Sequence, residues 1–190
     1  PIDNTTTDIS LETGYKMKSL FFSLGGSYSA FNTKDERLTF RNPYVTNQSL
    51  SETISLPPDN KFYNVKFQGM AKLPLDSTFS LNASFSKLKS EVSLLDTIWT
   101  YTTPGPIYSF ATLGLNDKTF DGDISYKNFS AALTSSPIKN LSTKLYYKFL
   151  KKDNDSDEIT YTYSGGSVTN HIFEYKKNNA GIDLGYKFTK

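Results

Sequence analysis

Over most of its 190 residues this chain alternates apolar and polar side chains with a period of two, the pattern of an extended strand with one apolar and one polar face. The first such segment sets Ile9, Leu11, Tyr15 and Met17 against Ser10, Glu12, Gly14, Lys16 and Lys18; the second sets Phe22, Leu24, Gly26, Tyr28 and Ala30 against Ser23, Gly25, Ser27 and Ser29. A third runs Tyr63, Val65, Phe67, Gly69, Ala71, Leu73 against Asn64, Lys66, Gln68 and Lys72, with Met70 out of pattern, and a fourth runs Phe79, Leu81, Ala83, Phe85 against Ser80, Asn82 and Ser84. The sixth sets Leu141, Thr143, Leu145, Tyr147 and Phe149 against Ser142, Lys144, Tyr146 and Lys148; the last sets Ala180, Ile182, Leu184, Tyr186 and Phe188 against Asn179, Gly181, Asp183, Gly185 and Lys187. In the fifth, Ile124 and Tyr126 have the opposite parity to Phe129, Ala131 and Leu133, so a β-bulge near Lys127 and Asn128 is expected to restore a common face. The chain is therefore expected to be all-β.

The connections alternate in length. Short turns are expected near residues 17–20, 74–77 and 135–140, and long loops over 32–60, 88–117 and 151–170. Short turns at one end and long loops at the other characterise a transmembrane β-barrel, and a soluble sandwich has no reason to sort its loops this way. The segments are long enough for a tilted strand to cross hydrocarbon, which takes roughly 9 to 11 residues. Their polar sides carry mostly Ser, Asn, Gly and Thr, as a lumen would, and aromatic residues gather toward the segment ends, as in an interfacial girdle. Strand preference alone also enriches aromatics, so only their joint placement counts.

Composition closes off other classes. With 37% hydrophobic residues and no apolar run near the ~18 residues a spanning helix needs, a helical membrane protein is excluded. An aromatic content of 15% argues against disorder. The absence of Cys removes disulfides, thiolate metal sites, cysteine catalysis and covalent haem attachment. Basic residues number 21 and acidic ones 19, scattered along the chain, so no nucleic-acid partner is expected. No charged and apolar leader is present, and an export signal is expected to be removed or to lie outside this segment.

Seven principal segments do not close a bacterial barrel, which uses an even number of strands. An open sheet in hydrocarbon would leave unpaired backbone groups at several kcal/mol each. Either an eighth strand lies within 158–164, through Ile159, Tyr161 and Tyr163, or the chain is a piece of a larger barrel; the abrupt ends at Pro1 and Lys190 favour the piece.

Gly14-Tyr15-Lys16, Leu20-Phe21-Phe22-Ser23-Leu24-Gly25-Gly26-Ser27-Tyr28-Ser29, Arg41-Asn42-Pro43-Tyr44, Leu56-Pro57-Pro58-Asp59-Asn60-Lys61-Phe62-Tyr63 and Leu73-Pro74 follow one another in an order that resembles the MtrB/PioB family of outer-membrane β-barrels. The stretch Tyr175 to Tyr186 is similar to a strand start repeated in that family. The resemblance implies a large sheath in the outer membrane of a Gram-negative bacterium, enclosing a periplasmic multihaem c-type cytochrome and docking an extracellular one. It implies that haem c is carried by those partners and that the barrel binds no cofactor itself.

The remaining motifs point to no chemistry of their own. Leu56-Pro57-Pro58-Asp59-Asn60 breaks a loop and starts a strand, Pro fixing φ and Asp or Asn capping the turn. Asp153, Asp155, Asp157 and Glu158 offer oxygen ligands for Ca²⁺ but lack the Gly and bidentate Glu of a regular calcium loop, and read better as a solvated loop tip. His171 is the sole histidine, so a triad or metal cluster would have to be completed by other residue types. No nucleophile elbow, phosphate loop or paired-acid setting occurs, and no enzyme is expected.

The sequence thus predicts an antiparallel transmembrane β-barrel segment, a meander of about 7 to 8 strands within a larger barrel. Lumen-facing contacts to a partner are assigned to Lys66, Gln68, Lys72, Ser80, Asn82, Ser84, Ser142, Lys144, Lys148 and Asp183. Lipid contacts are assigned to Leu24, Val65, Phe67, Leu81, Leu145, Tyr147, Ile182 and Leu184. The rival readings are a porin-like or small eight-stranded diffusion or adhesion barrel, and a soluble secreted β-sandwich binding module.

Overall fold

A computed structural model of the chain describes residues 2–41, 51–94, 114–163 and 165–188. The Asn42-Pro43-Tyr44 motif lies outside the described residues. Among the described residues eleven strands follow in order: β1 Asn4–Lys16, β2 Leu20–Thr33, β3 Arg37–Arg41, β4 Ser51–Ser55, β5 Asp59–Leu73, β6 Ser77–Ser93, β7 Thr119–Ser135, β8 Leu141–Asn154, β9 Thr160–Tyr163, β10 Gly166–Thr169 and β11 Tyr175–Tyr186. Seven of them form one antiparallel sheet in the order β1-β2-β5-β6-β7-β8-β11, a meander in which each strand pairs with the next in the chain's course. The other four form two hairpins, β3 with β4 and β9 with β10, inside the long connections. The tight turns after β1, β5 and β7 lie at one end of the sheet, the turn end; the long connections lie at the other, the loop end.

Antiparallel partners share a face, so the register fixes the two surfaces of the sheet. Ile9, Tyr28 and Tyr63 stand in one cross-strand row; Leu24, Phe67, Ala83, Phe129 and Phe149 stand in another on the same side. Among the described residues no second layer stands against this apolar face. Leu11 is 77% exposed, Val65 53%, Leu145 52% and Leu184 73%, while the only buried hydrophobic side chains among the described residues are Ala30 and Ile159. A sandwich would cover that face with a second sheet. Here its burial, worth roughly 25 cal/mol per Å² of apolar surface, must come from another apolar medium.

The expected bulge in β7 is absent. Lys127 pairs with Phe85 on one side and Lys151 on the other, and Asn128 with Ser84 and Leu150, so the strand runs on without an inserted residue. The parity change is therefore a reversal of environment along a continuous strand. Toward the turn end the apolar face carries Phe129, Ala131 and Leu133; toward the loop end that same side carries Lys127, Ser125 and Asp123, with Ile124 and Tyr126 on the reverse. β6 changes in the same way, Phe85 being followed by Lys87 and Lys89 on one side while Leu88 lies on the other. At 17 residues each, β6 and β7 exceed the roughly 9 to 11 that a bilayer requires, and the reversal divides each into a part that carries the apolar face and a part that does not.

The edge of the apolar band crosses the strands obliquely. Its last members toward the loop end are Ile9, Ala30, Tyr63, Phe85, Phe129, Phe149 and Ala180, and the edge on β11 lies six residues lower in the register than on β1. Six residues at ~3.4 Å against six strand spacings at ~4.8 Å give a tilt of about 35°, within the range of membrane barrels.

The candidate eighth strand is placed differently from expectation. Residues 160–163 pair with Gly166–Thr169 and touch 114–116, through Thr162 N–H to the Gly114 carbonyl at 2.9 Å, and do not join the seven-stranded sheet. The chain just before them is already engaged along β7: Asp155 N–H donates to the Asp123 carbonyl at 2.8 Å and Asp157 N–H to that of Asp121 at 3.0 Å.

Candidate functional site

The polar side of the sheet is hollowed. A shallow concavity of about 600 Å³ is lined from four strands by Asn64, Lys66 and Gln68 on β5, Asn82 and Ser84 on β6, Asn128 and Ser130 on β7, and Lys148 and Leu150 on β8, together with Phe67, Ala83, Phe129 and Phe149 at the intervening positions. Most side chains on this side are small, and their polar atoms pair across the strands. Ser86 Oγ donates to Asn64 Oδ1 at 3.0 Å, and Asn128 Nδ2 donates to Ser84 Oγ at 3.2 Å. Serine and asparagine thus satisfy one another while leaving further donors and acceptors directed into the hollow.

Two arrangements set its charge. Lys66 Nζ lies 2.7 Å from Glu12 Oε2, reaching from β5 to β1 across β2. Glu12 pairs with Gly25, which pairs with Lys66, and the absent side chain at Gly25 is the space the lysine occupies: a Cβ there would sit 2.6 Å from Lys66 Cε. On β8, Lys144 and Lys148 flank Tyr146, their ammonium groups 5.5 and 5.9 Å from its ring centroid. The Tyr146 ring lies over Gly181 on β11, where a Cβ would meet its hydroxyl at 2.5 Å.

The register places Lys66, Gln68, Lys72, Ser80, Asn82, Ser84, Ser142, Lys144, Lys148 and Asp183 on the hollowed polar face. Leu24, Val65, Phe67, Leu81, Leu145, Tyr147, Ile182 and Leu184 lie on the reverse. Sequence reasoning missed Glu12 as the counter-ion of Lys66, and Asn64, Asn128 and Ser130 as parts of the wall. It also missed Lys61, Lys87, Lys127 and Lys151, which share the parity of the apolar residues; that misplaced parity was the available signal.

The other candidate motifs are structural. Asp59 opens β5 and its Oδ1 accepts the Thr33 N–H at 2.7 Å, tying the start of β5 to the end of β2. The acidic run is drawn apart: Asp153 Oδ2 takes Lys127 Nζ at 3.0 Å and its other oxygen takes Lys151, while Asp157 Oδ2 accepts the Asp121 N–H at 2.8 Å. Among the described residues no three of His, Cys, Asp and Glu gather as a metal site would require. His171 is exposed in an irregular segment. Before β7, Asp117 accepts hydrogen bonds from the N–H groups of Thr119 and Lys118 and from the Thr119 hydroxyl, which hold its carboxyl below the usual range.

A single-layer antiparallel meander with tilted strands, an uncovered apolar face and a hollowed polar one is a wall of an outer-membrane β-barrel. The whole chain, residues 1–190, matches the family described as outer membrane beta-barrel porin, MtrB/PioB, and it belongs to that family. No curated protein matches it.

Proposed function

We propose that this sheet is part of the wall of a larger barrel in the outer membrane of a Gram-negative bacterium, and that the barrel sheathes multihaem c-type cytochromes for electron transfer across that membrane. The observation that carries the reading is the polar hollow spread over four strands, whose serine, asparagine and lysine groups suit the hydrated surface of an enclosed protein. Family membership supports it. The sheet's edge strands β1 and β11 do not pair with each other, so further strands are needed to satisfy their backbone groups within hydrocarbon.

In this reading the apolar face meets lipid through Leu24, Val65, Phe67, Leu81, Leu145, Tyr147, Ile182 and Leu184. The ten polar-face residues meet the periplasmic cytochrome, and the loop end lies toward the extracellular one. Haem belongs to those partners in this reading: without Cys the chain has no residue for the thioether attachment of haem c, and its one His, His171, is exposed in an irregular segment. The barrel contributes insulation and position, and no catalysis.

A small-residue polar face also suits a water-filled diffusion channel, and the family's porin description favours keeping that reading beside the first. Purification of the intact barrel from native membranes separates them. Haem absorbance that stays with the barrel through size exclusion supports the sheath; a haem-free barrel that conducts ions steadily in planar bilayers supports the pore and overturns the sheath.

A further inference from the structure

On four adjacent strands the first residue past the apolar band, on the band's own side and toward the loop end, is lysine: Lys61 after Tyr63, Lys87 after Phe85, Lys127 after Phe129 and Lys151 after Phe149. On β11, Lys176 continues the row, its ammonium 5.8 Å from the Phe149 ring. Carboxylates come only farther out. Asp123 Oδ2 lies 2.9 Å from Lys87 Nζ and 3.6 Å from Lys89 Nζ, and Asp153 is shared between Lys127 and Lys151. At the turn end the band itself runs on through Leu73 and Leu141 on β5 and β8, and the first residues past it on β6 and β7 are Ser77 and Ser135.

We propose that this lysine tier binds the phosphate groups of membrane lipids in the leaflet at the loop end. Water-facing surface alone would accept Glu, Ser or Asn as readily as Lys in these positions, and would give no reason for the tier to occur at one end only. A layer of anions directly above hydrocarbon gives both. Lysine lays its aliphatic stem along apolar surface and raises its ammonium to the headgroups, where each such charge near an anionic leaflet adds to the attraction. Because each paired carboxylate serves two ammonium groups, the tier keeps positive charge to spend on a phosphate oxygen, and the carboxylates hold the lysines upright from the far side. The proposal rests on the membrane placement of the sheet and is independent of what fills the barrel.

The test uses the full barrel in nanodiscs of phosphatidylcholine alone or with a third of phosphatidylglycerol, and compares the K61Q/K87Q/K127Q/K151Q variant with K66Q/K72Q/K144Q/K148Q, which removes the same charge from the polar face. Wild type and the polar-face variant are expected to melt several degrees higher in the anionic discs, and the tier variant to lose about half or more of that difference. The arginine version of the tier, which keeps the charge, is expected to restore it. Inorganic phosphate added to phosphatidylcholine discs is expected to give no shift, since the binding source is the lipid. Equal response of the two glutamine variants, or a full shift from free phosphate, would overturn the proposal. If the tier variant does not fold, the arginine version is read alone: loss of the difference there counts against the idea, and its retention supports it.

Discussion

Lys66 on β5 and Glu12 on β1 form an ion pair, Nζ to Oε2 2.7 Å, across the strand that separates them. The contact exists because Gly25 of β2 stands between the two and leaves the polar face open at that point. Gly25→Val would place a side chain where the Lys66 stem runs, and the flexible lysine would swing away without disturbing the ladder. A carbodiimide cross-link joining Glu12 to Lys66, read by mass spectrometry, is expected in the folded protein and should be lost in Gly25→Val. A cross-link of unchanged yield in the variant would show that the glycine does not hold the path open.

The two faces should respond oppositely to charge. Leu145→Arg and Val65→Arg put a cation on the apolar face and are expected to weaken folding into bilayers by about 2 to 4 kcal/mol. Ser80→Arg and Ser142→Arg, on the polar face, should fold into the same bilayers as wild type. Urea titration in vesicles distinguishes them, and equal losses for both pairs would refute the assignment of faces.

The turn after β5 holds Leu75 at φ 61° and Asp76 at φ 46°. A left-handed conformation costs a non-glycine residue roughly 1 to 2 kcal/mol. Leu75→Gly is therefore expected to stabilise the β5–β6 hairpin by up to about 1 kcal/mol, the gain being reduced by the glycine's greater freedom when unfolded. Ser77 and Ser135, which both donate to the Leu75 carbonyl, at 3.2 and 3.3 Å, use its backbone and should keep that contact. A lower urea midpoint for Leu75→Gly would count against strain at this turn.

Asp117 gives a pH dependence outside the membrane. Its carboxylate accepts the Thr119 and Lys118 N–H groups, so its pKa is lowered in the folded state. The cap is then fully in place above the ordinary Asp value of ~3.9 and is lost as pH falls through the lowered one. Amide exchange at Lys118 and Thr119 is expected to be slow at neutral pH and to lose its protection in Asp117→Ala. Unchanged protection in that variant would exclude the capping role.

Much of this architecture is written in local alternation. The period of two in β1, β2, β5, β6, β8 and β11 assigns each residue a side, and the register then brings those sides together. β7 defeated that reading because its polarity reverses partway along the strand, and a reversal looks like an inserted residue when parity is the only guide. The same assumption hid Lys61, Lys87, Lys127 and Lys151, whose apolar parity is meaningful only once the edge of the band is known. β9 has the alternation of a strand, and nothing local says that it pairs with β10 in a separate hairpin. The Glu12–Lys66 pair depends on the alignment of three strands and on a missing side chain in the middle one, so neither segment announces it.

In the function proposed above, one side of the sheet meets lipid and the other meets an enclosed haem protein. Single nitroxide labels are placed along β6, which has no Cys of its own, as Leu81→Cys, Asn82→Cys, Ala83→Cys, Ser84→Cys and Phe85→Cys in the full barrel within native membranes, with any reactive Cys elsewhere in the barrel replaced by Ser. Electron paramagnetic resonance should show oxygen accessibility high at 81, 83 and 85, and relaxation enhancement by paramagnetic haem iron stronger at 82 and 84 than at their neighbours. Accessibility and relaxation that fail to alternate along those five positions would contradict the account.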